Sequence, residues 1–285
     1  MRPERQRGLA LVTVLLILAL ATMLAAGMLR SHQLLLAGAS QQIQASRLMQ
    51  LALSGERLAL VQIGQQASEL VQLSHNGQTW ANARTFKLGD GQLTVRMEDL
   101  AGRFNVGSLV GLQSLDKVLL ERWQRLCHSL QIKAPALDPL VGRPLIDISQ
   151  LRTLPGVTSE VLARLKPWIV ALPKEAGLNV NTTSARLLGT LEKVDEPTAS
   201  RLLRERPAAG YANVQQFLAA PALSGQGPGT HGLAVGSRWF RLELTAQQGG
   251  QQLYVYSDVE IDAKTQRPRV VRRVVTALRE PRLDE

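Results

Sequence analysis

Cysteine is almost missing from this chain: Cys127 is the only one in 285 residues. A single thiol excludes an intrachain disulfide and an all-cysteine metal site. Histidine is scarce as well. Of His32, His75, His128 and His231, only His128 has a chemically suggestive neighbour, Cys127. Adjacent residues on a helix point about 100° apart, so the pair reads as a buried structural cysteine beside an unrelated histidine. No His-Glu-x-x-His helix, Cys-x-x-Cys pair or phosphate loop closing on Gly-Lys-Ser/Thr occurs. These gaps take away the common metal, redox and nucleotide chemistries, so neither an enzyme nor a cofactor is expected.

Two further absences shape the N-terminal part. No charged residue occurs between positions 9 and 29, and no proline between Pro3 and Pro135. The 21 uncharged residues, at about 1.5 Å each, match a hydrocarbon core of roughly 30 Å. A secretory signal has a shorter apolar run of about 7–15 residues before a small-residue cleavage site. Ala37-Gly38-Ala39 has that small-residue character but lies well beyond the run. Arg2, Arg5 and Arg7 precede it against the single Glu4, a bias that keeps the N-terminus cytoplasmic and sends the rest of the chain across the membrane.

Helix-forming residues continue from position 33 to about 63. Leu48, Leu51, Ala52, Gly55, Leu58 and Ala59 share one face at three- and four-residue spacing. The segment is either one helix of roughly 80 Å, lipid-soluble and then amphipathic, or a membrane helix broken near Gly38 and a second helix packed on a domain. The chain has 33 Lys+Arg against 23 Asp+Glu, with 45% apolar and 20% charged residues. That is an ordinary folded composition with room for a membrane segment and one or two domains. The basic excess suits nucleic acid or an anionic surface, or is simply a solvated face.

A basic leader ending in Gly8, followed by an apolar run that opens an amphipathic helix, resembles the type IV prepilin class. The resemblance implies cleavage between Gly8 and Leu9 by a prepilin peptidase and N-methylation at Leu9. Residue 13, fifth after the cut, is Thr13 where nearly all of the class carries glutamate. In that class the glutamate is understood to meet the N-terminal amine of the subunit nearer the tip. Thr13 therefore marks a tip position, where no such partner exists.

Downstream, Gly89-Asp90-Gly91 is a hairpin turn between two strands, the second alternating Leu93, Val95 and Met97 with Thr94, Arg96 and Glu98. Ten of the 13 prolines then fall between Pro135 and Pro228, among short helical segments. Strands return at the end. Phe240, Leu242 and Leu244 alternate with polar neighbours; Leu253, Val255, Val259 and Ile261 oppose Tyr254, Tyr256, Asp258 and Glu260; and a last strand covers 269–278. The pattern is α+β: a small antiparallel sheet packed on the N-terminal helix, with a large helical subdomain inserted.

Seven stretches in this order are similar to the type II secretion minor pseudopilin K family: RGLALVTVLLILALA at the start, MEDLAGRFNVGSL, LIDISQLRTLPGV, LNVNTTSARLL, YANVQQFLAAPAL, VGSRWFRLEL and RPRVVRRVV. The resemblance implies a pseudopilin fold and a tip subunit that helps initiate the pseudopilus and the export of folded exoproteins. It implies as partners the minor pseudopilins of I, J and H type, the major pseudopilin, the assembly platform, the prepilin peptidase and exoproteins. Its expected home is the inner membrane of a Gram-negative bacterium, with the C-terminal domain periplasmic. The expected divisions are a leader at 1–8, a membrane helix at 9–29, an amphipathic helix at 30–65, sheet at 66–108 and 233–285, and the insertion at 109–232.

Two rivals stand beside this: a minor pilin of a type IV pilus, and a membrane-anchored helix-hairpin-helix DNA-binding protein for competence. LRTLPGVTSEVLARLKPWIV has the hairpin pattern, with Arg164, Lys166, Arg201, Arg204 and Arg206 nearby. Thr158 stands where the motif's second glycine belongs, however. Its Cβ crowds a phosphate backbone while its hydroxyl suits a helix cap, so no nucleic acid is expected. Asp147 with Gln150 forms a partial capping box, and Asn181 or Thr182 caps the helix ending at Leu188. Asp258, Glu260 and Asp262 share a strand face as candidates for a hard cation, or else form a solvated face. The loop at 221–232 reads as a flexible connection.

Overall fold

The computed structural model describes residues 4–223, 227–277 and 279, with side chains from residue 11 onward except at 37. It divides into two units, Met1–Gln50 and Leu51–Glu285. Helix α1 covers Glu4–Gln72 and has no break at Gly38. With proline absent after Pro3 and Leu, Ala, Met and Gln abundant, nothing in the segment interrupts helical hydrogen bonding. Between residues 11 and 36 of the first unit the apolar side chains stand exposed, among them Leu16 at 70%, Leu24 at 69% and Leu36 at 71%.

In the second unit α1 becomes amphipathic. Ala52, Gly55, Ala59, Ile63, Ala67 and Leu70 are buried at three- and four-residue spacing. Leu58, expected on this face, is 58% exposed, while Glu56 is only 4% exposed. A Cβ on Gly55 would overlap Leu93 Cδ2 and lie 3.2 Å from Leu244 Cδ2. Glycine at this position lets the helix backbone approach the sheet.

The sheet begins with β1 (Arg84–Leu88) and β2 (Gly91–Asp99), joined at Gly89-Asp90 with Gly89 at φ +64°. Such a two-residue turn favours residues that tolerate positive φ. Next come β3 (Phe104–Asn105), α2 (Val106–Leu109), α3 (Lys117–Ser129), α4 (Ser159–Leu165), β4 (Ile169–Val170), β5 (Leu178–Asn179), α5 (Ala185–Leu188), α6 (Glu196–Arg204), α7 (Val214–Leu218) and β6 (Leu233–Ala234). The chain ends with β7 (Trp239–Gln248), β8 (Gln251–Ile261) and β9 (Pro268–Thr276).

The five long strands form one sheet in the order β1-β2-β7-β8-β9, every neighbouring pair antiparallel. Because β2 pairs directly with β7 and Asp99 sits opposite Phe240, the insertion leaves and re-enters the sheet at one place. It has its own core, with Trp123, Leu126, Cys127, Leu151, Leu165, Val180, Leu187 and Phe217 fully or almost fully buried. The architecture is α+β: a long N-terminal helix, an antiparallel sheet and an inserted set of short helices.

Four local features differ from expectation. The cap of α5 is Ser184, whose hydroxyl accepts from Leu187 N, rather than Asn181 or Thr182; Asn181 is buried and Thr182 half-buried, and both bond elsewhere. The first limb of the hairpin motif is a 3-10 helix, Ile148–Thr153, rather than an α-helix. The last strand starts at Pro268, opposite Ile261, and ends at Thr276; position 278 lies outside the described residues. A strand's first residue is one place proline fits a sheet. The far face of β8 is also less open than alternation suggests, with Tyr256 at 5% and Asp258 at 9% exposure. The insertion lies against that face: Arg272 of β9 pairs with Asp147 at 2.5 Å.

Candidate functional site

Gly8 and Leu9 both lie within α1, the described part of the proposed processing segment. Met1, Arg2 and Pro3 lie outside the described residues. Thr13 is exposed on the apolar stretch, whose strongest window has a mean hydropathy of 2.5 and no buried residue. A hydroxyl is tolerable on such a helix when it bonds to its own backbone. Thr22 Oγ1 does so, donating to Ala19 O at 2.9 Å.

In the second unit the helix is fixed to the sheet by one charge. Glu56 sits between Ala52 and Ala59 on the buried face and reaches two strands. Arg273 of β9 donates to both carboxylate oxygens, at 2.8 and 2.5 Å, and Ser257 of β8 donates at 2.5 Å. Burial pushes the Glu56 carboxyl up, but these hydrogen bonds and the Arg273 charge outweigh it and hold the carboxyl below its ordinary value. An aliphatic face tolerates sliding by a turn, whereas a bidentate arginine pair has one geometry. The ion pair thus sets the register of helix on sheet.

The second focus is the point where the insertion joins. Asp99, the last residue of β2, is buried and accepts from Ala101 N at 2.9 Å, Asn179 Nδ2 at 2.7 Å and Thr182 Oγ1 at 2.7 Å. Asn179 Nδ2 also reaches Ser74 O, just past the end of α1, at 3.0 Å. Burial pushes the Asp99 carboxyl up, and the hydrogen bonds from Ser237, Thr182, Asn179 and the Ala101 amide only partly offset it. Asn181 takes a similar role, accepting from Tyr211 N at 2.7 Å and donating to Tyr211 O at 3.0 Å. Helix end, strand end and insertion are therefore tied by side chains rather than by a long shared strand.

The acidic candidates are each engaged locally. Arg241 binds Asp258 at 2.6 and 3.0 Å, and Arg269 binds Glu260 at 2.7 Å. Asp262 closes its own turn by accepting from Lys264 N and Thr265 N. Among the described residues no three His, Cys, Asp or Glu side chains are grouped to hold a metal ion. Cys127 is buried, its thiol pushed up to about 12 by burial, while His128 is exposed on the next helix position. The two are not brought together as nucleophile and base.

The hairpin motif keeps its turn but spends much of its charge inward. Gly156 has φ +79°, with open space where a side chain would project. Thr158 caps α4 by accepting from Val161 N at 3.2 Å. The Asp147–Gln150 capping box is complete, with Asp147 accepting from Ser149 N and Gln150 accepting from Asp147 N. Arg164 donates to Leu130 O, and Arg206 to Asn181 O and Thr183 O. Two of the five cations that could meet phosphate thus bind the protein's own carbonyls. At 221–232, His231 pairs with Asp116 at 2.7 Å and its carbonyl accepts from Arg122 at 2.8 Å; positions 224–226 lie outside the described residues.

Sequence reasoning missed Glu56, Arg273, Asp99 and Asn179. Glu56 alone left a sequence signal: a carboxylate spaced four residues from Ala52 on the apolar face, where a charge needs a partner.

The chain resembles proteins of one kind. Residues 178–236, which carry α5 to α7 and much of the junction, match the family model described as Type II secretion system, protein K. A protein named Type II secretion system protein K from Pseudomonas aeruginosa is 29% identical over 90% of this chain and 89% of its own length. One of the same name from Klebsiella pneumoniae is 28% identical over 77% of this chain and 81% of its own. The fold matches a chain in the crystal structure of the GspK-GspI-GspJ complex from the enterotoxigenic Escherichia coli type II secretion system. There the TM-score is 0.67 at 22% identity, covering 84% of this chain and 99% of that one.

Proposed function

The chain belongs to the type II secretion system protein K family of minor pseudopilins, and from that premise we propose that it caps the tip of the pseudopilus. There it helps start assembly of the pseudopilus and export of folded exoproteins. Thr13 is the observation that supports the tip position. A carboxylate inside the bilayer costs about 2.5–3.5 kcal/mol on insertion scales unless it finds a partner. The topmost subunit has no amine above it, so threonine there avoids that cost.

The remaining steps follow from the same reading. Prepilin peptidase cuts between Gly8 and Leu9, removing the leader 1–8, and Leu9 is N-methylated. Residues 9–29 hold the subunit in the inner membrane with Arg2, Arg5 and Arg7 on the cytoplasmic side, and the head is periplasmic. The sheet parts at 66–108 and 233–285 and the insertion at 109–232 make up that head. The insertion springs from adjacent strands at one end of the sheet, and its bulk suits a position with no subunit stacked above. The solved relative was crystallised with I and J proteins, which supports I- and J-type minor pseudopilins as partners here. H-type and major pseudopilins and the assembly platform are further partners. The work is mechanical, and cleavage is done to this chain rather than by it.

A strain lacking the chain provides the test. Exoproteins held in the periplasm, with export restored by the wild-type chain, are the expected result. Normal export with lost twitching or adhesion would assign the chain to a type IV pilus instead.

A further inference from the structure

The five-stranded sheet has two edges, β1 and β9. An edge strand presents unpaired backbone N–H and C=O groups, and proteins usually blunt or cover it. β9 is guarded: it opens on Pro268, and Arg272 ties it to Asp147 of the insertion. β1 has no such cover. All of its residues, Arg84–Leu88, are exposed.

The pairing with β2 fixes which groups of β1 are free. Leu88 and Gly91 flank the two-residue turn and form a hydrogen-bonded pair, as do Phe86 with Leu93 and Arg84 with Val95. Thr85 and Lys87 fall between these, at the non-bonded pairs where side chains stand closer. The Thr85 and Thr94 hydroxyls, 3.1 Å apart, fit that assignment. The N–H and C=O of Thr85 and Lys87 therefore point outward along the open edge. Among the described residues no other backbone or side-chain group bonds to them.

Side chains and charge narrow what can add there. Arg84 and Phe86 point towards α1: Arg84 donates to Gln62 Oε1 at 3.2 Å, and Phe86 lines an apolar groove with Leu58, Trp80 and Val95. Phe86 is 37% exposed and Leu88, on the same side of the strand, 47%. Lys87 points to the other face. Between Thr79 and Met97 the only carboxylate is Asp90, which accepts from Gln248 Nε2 at 2.7 Å. Neither Arg84 nor Lys87 is paired with an acid among the described residues. Two such edges joined together would bring both copies' Arg84 and Lys87 onto one short ribbon, and like charges across strands are destabilising.

We propose that the open edge of β1 accepts an extended acidic strand of a partner protein, which lengthens the sheet by one strand. Backbone bonds to Thr85 and Lys87 supply the affinity, and side chains on alternate sides supply the selectivity. On the α1 side, aliphatic residues of the added strand cover Phe86, Leu88 and Leu58. Its carboxylates meet Lys87 on the far face and Arg84 beside the groove. This inference goes beyond the tip assignment and does not depend on it.

The test uses the full-length chain in detergent and a short fluorescein-labelled peptide alternating valine with glutamate, read by anisotropy. Saturable binding is expected, with slowed amide hydrogen exchange over Arg84–Leu88. The same peptide N-methylated along one edge lacks the backbone donors and should not bind. Thr85→Pro removes an outward N–H but no bond to β2, and should weaken binding about fivefold, the effect of one backbone hydrogen bond. The N-methylated peptide probes the wild-type chain, so its result holds whether or not this variant folds. Absence of binding, or equal binding by the N-methylated peptide, would overturn the proposal. Equal binding of a valine–lysine peptide would overturn the acidic partner. Dimerisation of the chain that Thr85→Pro abolishes would overturn it in favour of a second copy.

Discussion

The side-chain amide of Asn179 donates to Asp99 Oδ2 at 2.7 Å, across 80 positions of sequence and out of reach of solvent. Asp99 ends the second strand of the sheet, and Asn179 belongs to the insertion between that strand and β7. The bond sets how the inserted helices leave the sheet, and Ser74, just beyond the N-terminal helix, joins them through Asn179. This junction is what places the insertion on the sheet.

Asn179→Ala should therefore destabilise the fold by about 1–3 kcal/mol, because a buried carboxylate loses a donor. Urea unfolding of the full chain in detergent measures it. An unchanged midpoint would mean the junction is held by packing alone.

Stability should fall in acid through Glu56. Its carboxyl lies below the ordinary value when folded. The contribution is therefore present above the unfolded value of about 4.3 and is lost as pH drops through the lower folded value. Asp99 has the opposite sign: its value is raised, so its share of the folding energy grows as pH falls. Glu56→Gln should lower the urea midpoint at neutral pH and flatten its decline in acid. A wild-type midpoint independent of pH below that value would contradict the pairing with Arg273.

Gly236→Ala should be among the most damaging single-methyl changes. The added Cβ would collide with Val71 O and lie 2.8 Å from Gln72 C, and backbone atoms cannot rotate away. Overpacking of this kind costs about 1–3 kcal/mol. Gly229→Ala, with nothing within 4 Å, is the control and should change stability by no more than about 0.5 kcal/mol. Equal thermal midpoints for the two variants would refute the close approach.

Cys127 should resist modification in the folded chain. Burial pushes its thiol up to about 12, so almost no thiolate exists at neutral pH, and the thiolate is the reacting form. Maleimide labelling followed by mass spectrometry should show an unmodified native protein and complete labelling in urea. Rapid native labelling would place the thiol at the surface.

The mature N-terminus is the prediction closest to the proposed function. Protein extracted from membranes of cells with prepilin peptidase should begin at N-methylated Leu9, and from cells without it at Met1 or Arg2. Mass spectrometry of the N-terminal peptide distinguishes the two. An uncut start in both strains would remove the processing step.

Much of this was legible along the chain because it depends on neighbouring residues. The uncharged run at 9–29 needs only composition to be a membrane-length helix. The Gly89-Asp90 turn and the alternation of the late strands are local backbone chemistry, as are the caps at Asp147 and Thr158. The order of motifs was enough to point to the family.

The three-dimensional fold alone decided where charge is buried. Glu56 and Arg273 lie 217 positions apart, and no local pattern says that a carboxylate on an apolar helix face will meet an arginine from the last strand. Asn181 and Thr182 looked like helix caps because their side chains suit that role, yet long-range packing gave them Tyr211 and Asp99 as partners. Asp258 read as part of a cation-binding or solvated face because alternation distinguishes two sides of a strand but not what covers the second. Periodicity and turn chemistry act over a few residues, so sequence determined the elements. Burial and ion pairing depend on which distant surfaces meet, so the junction and the helix register arose only once the chain had folded.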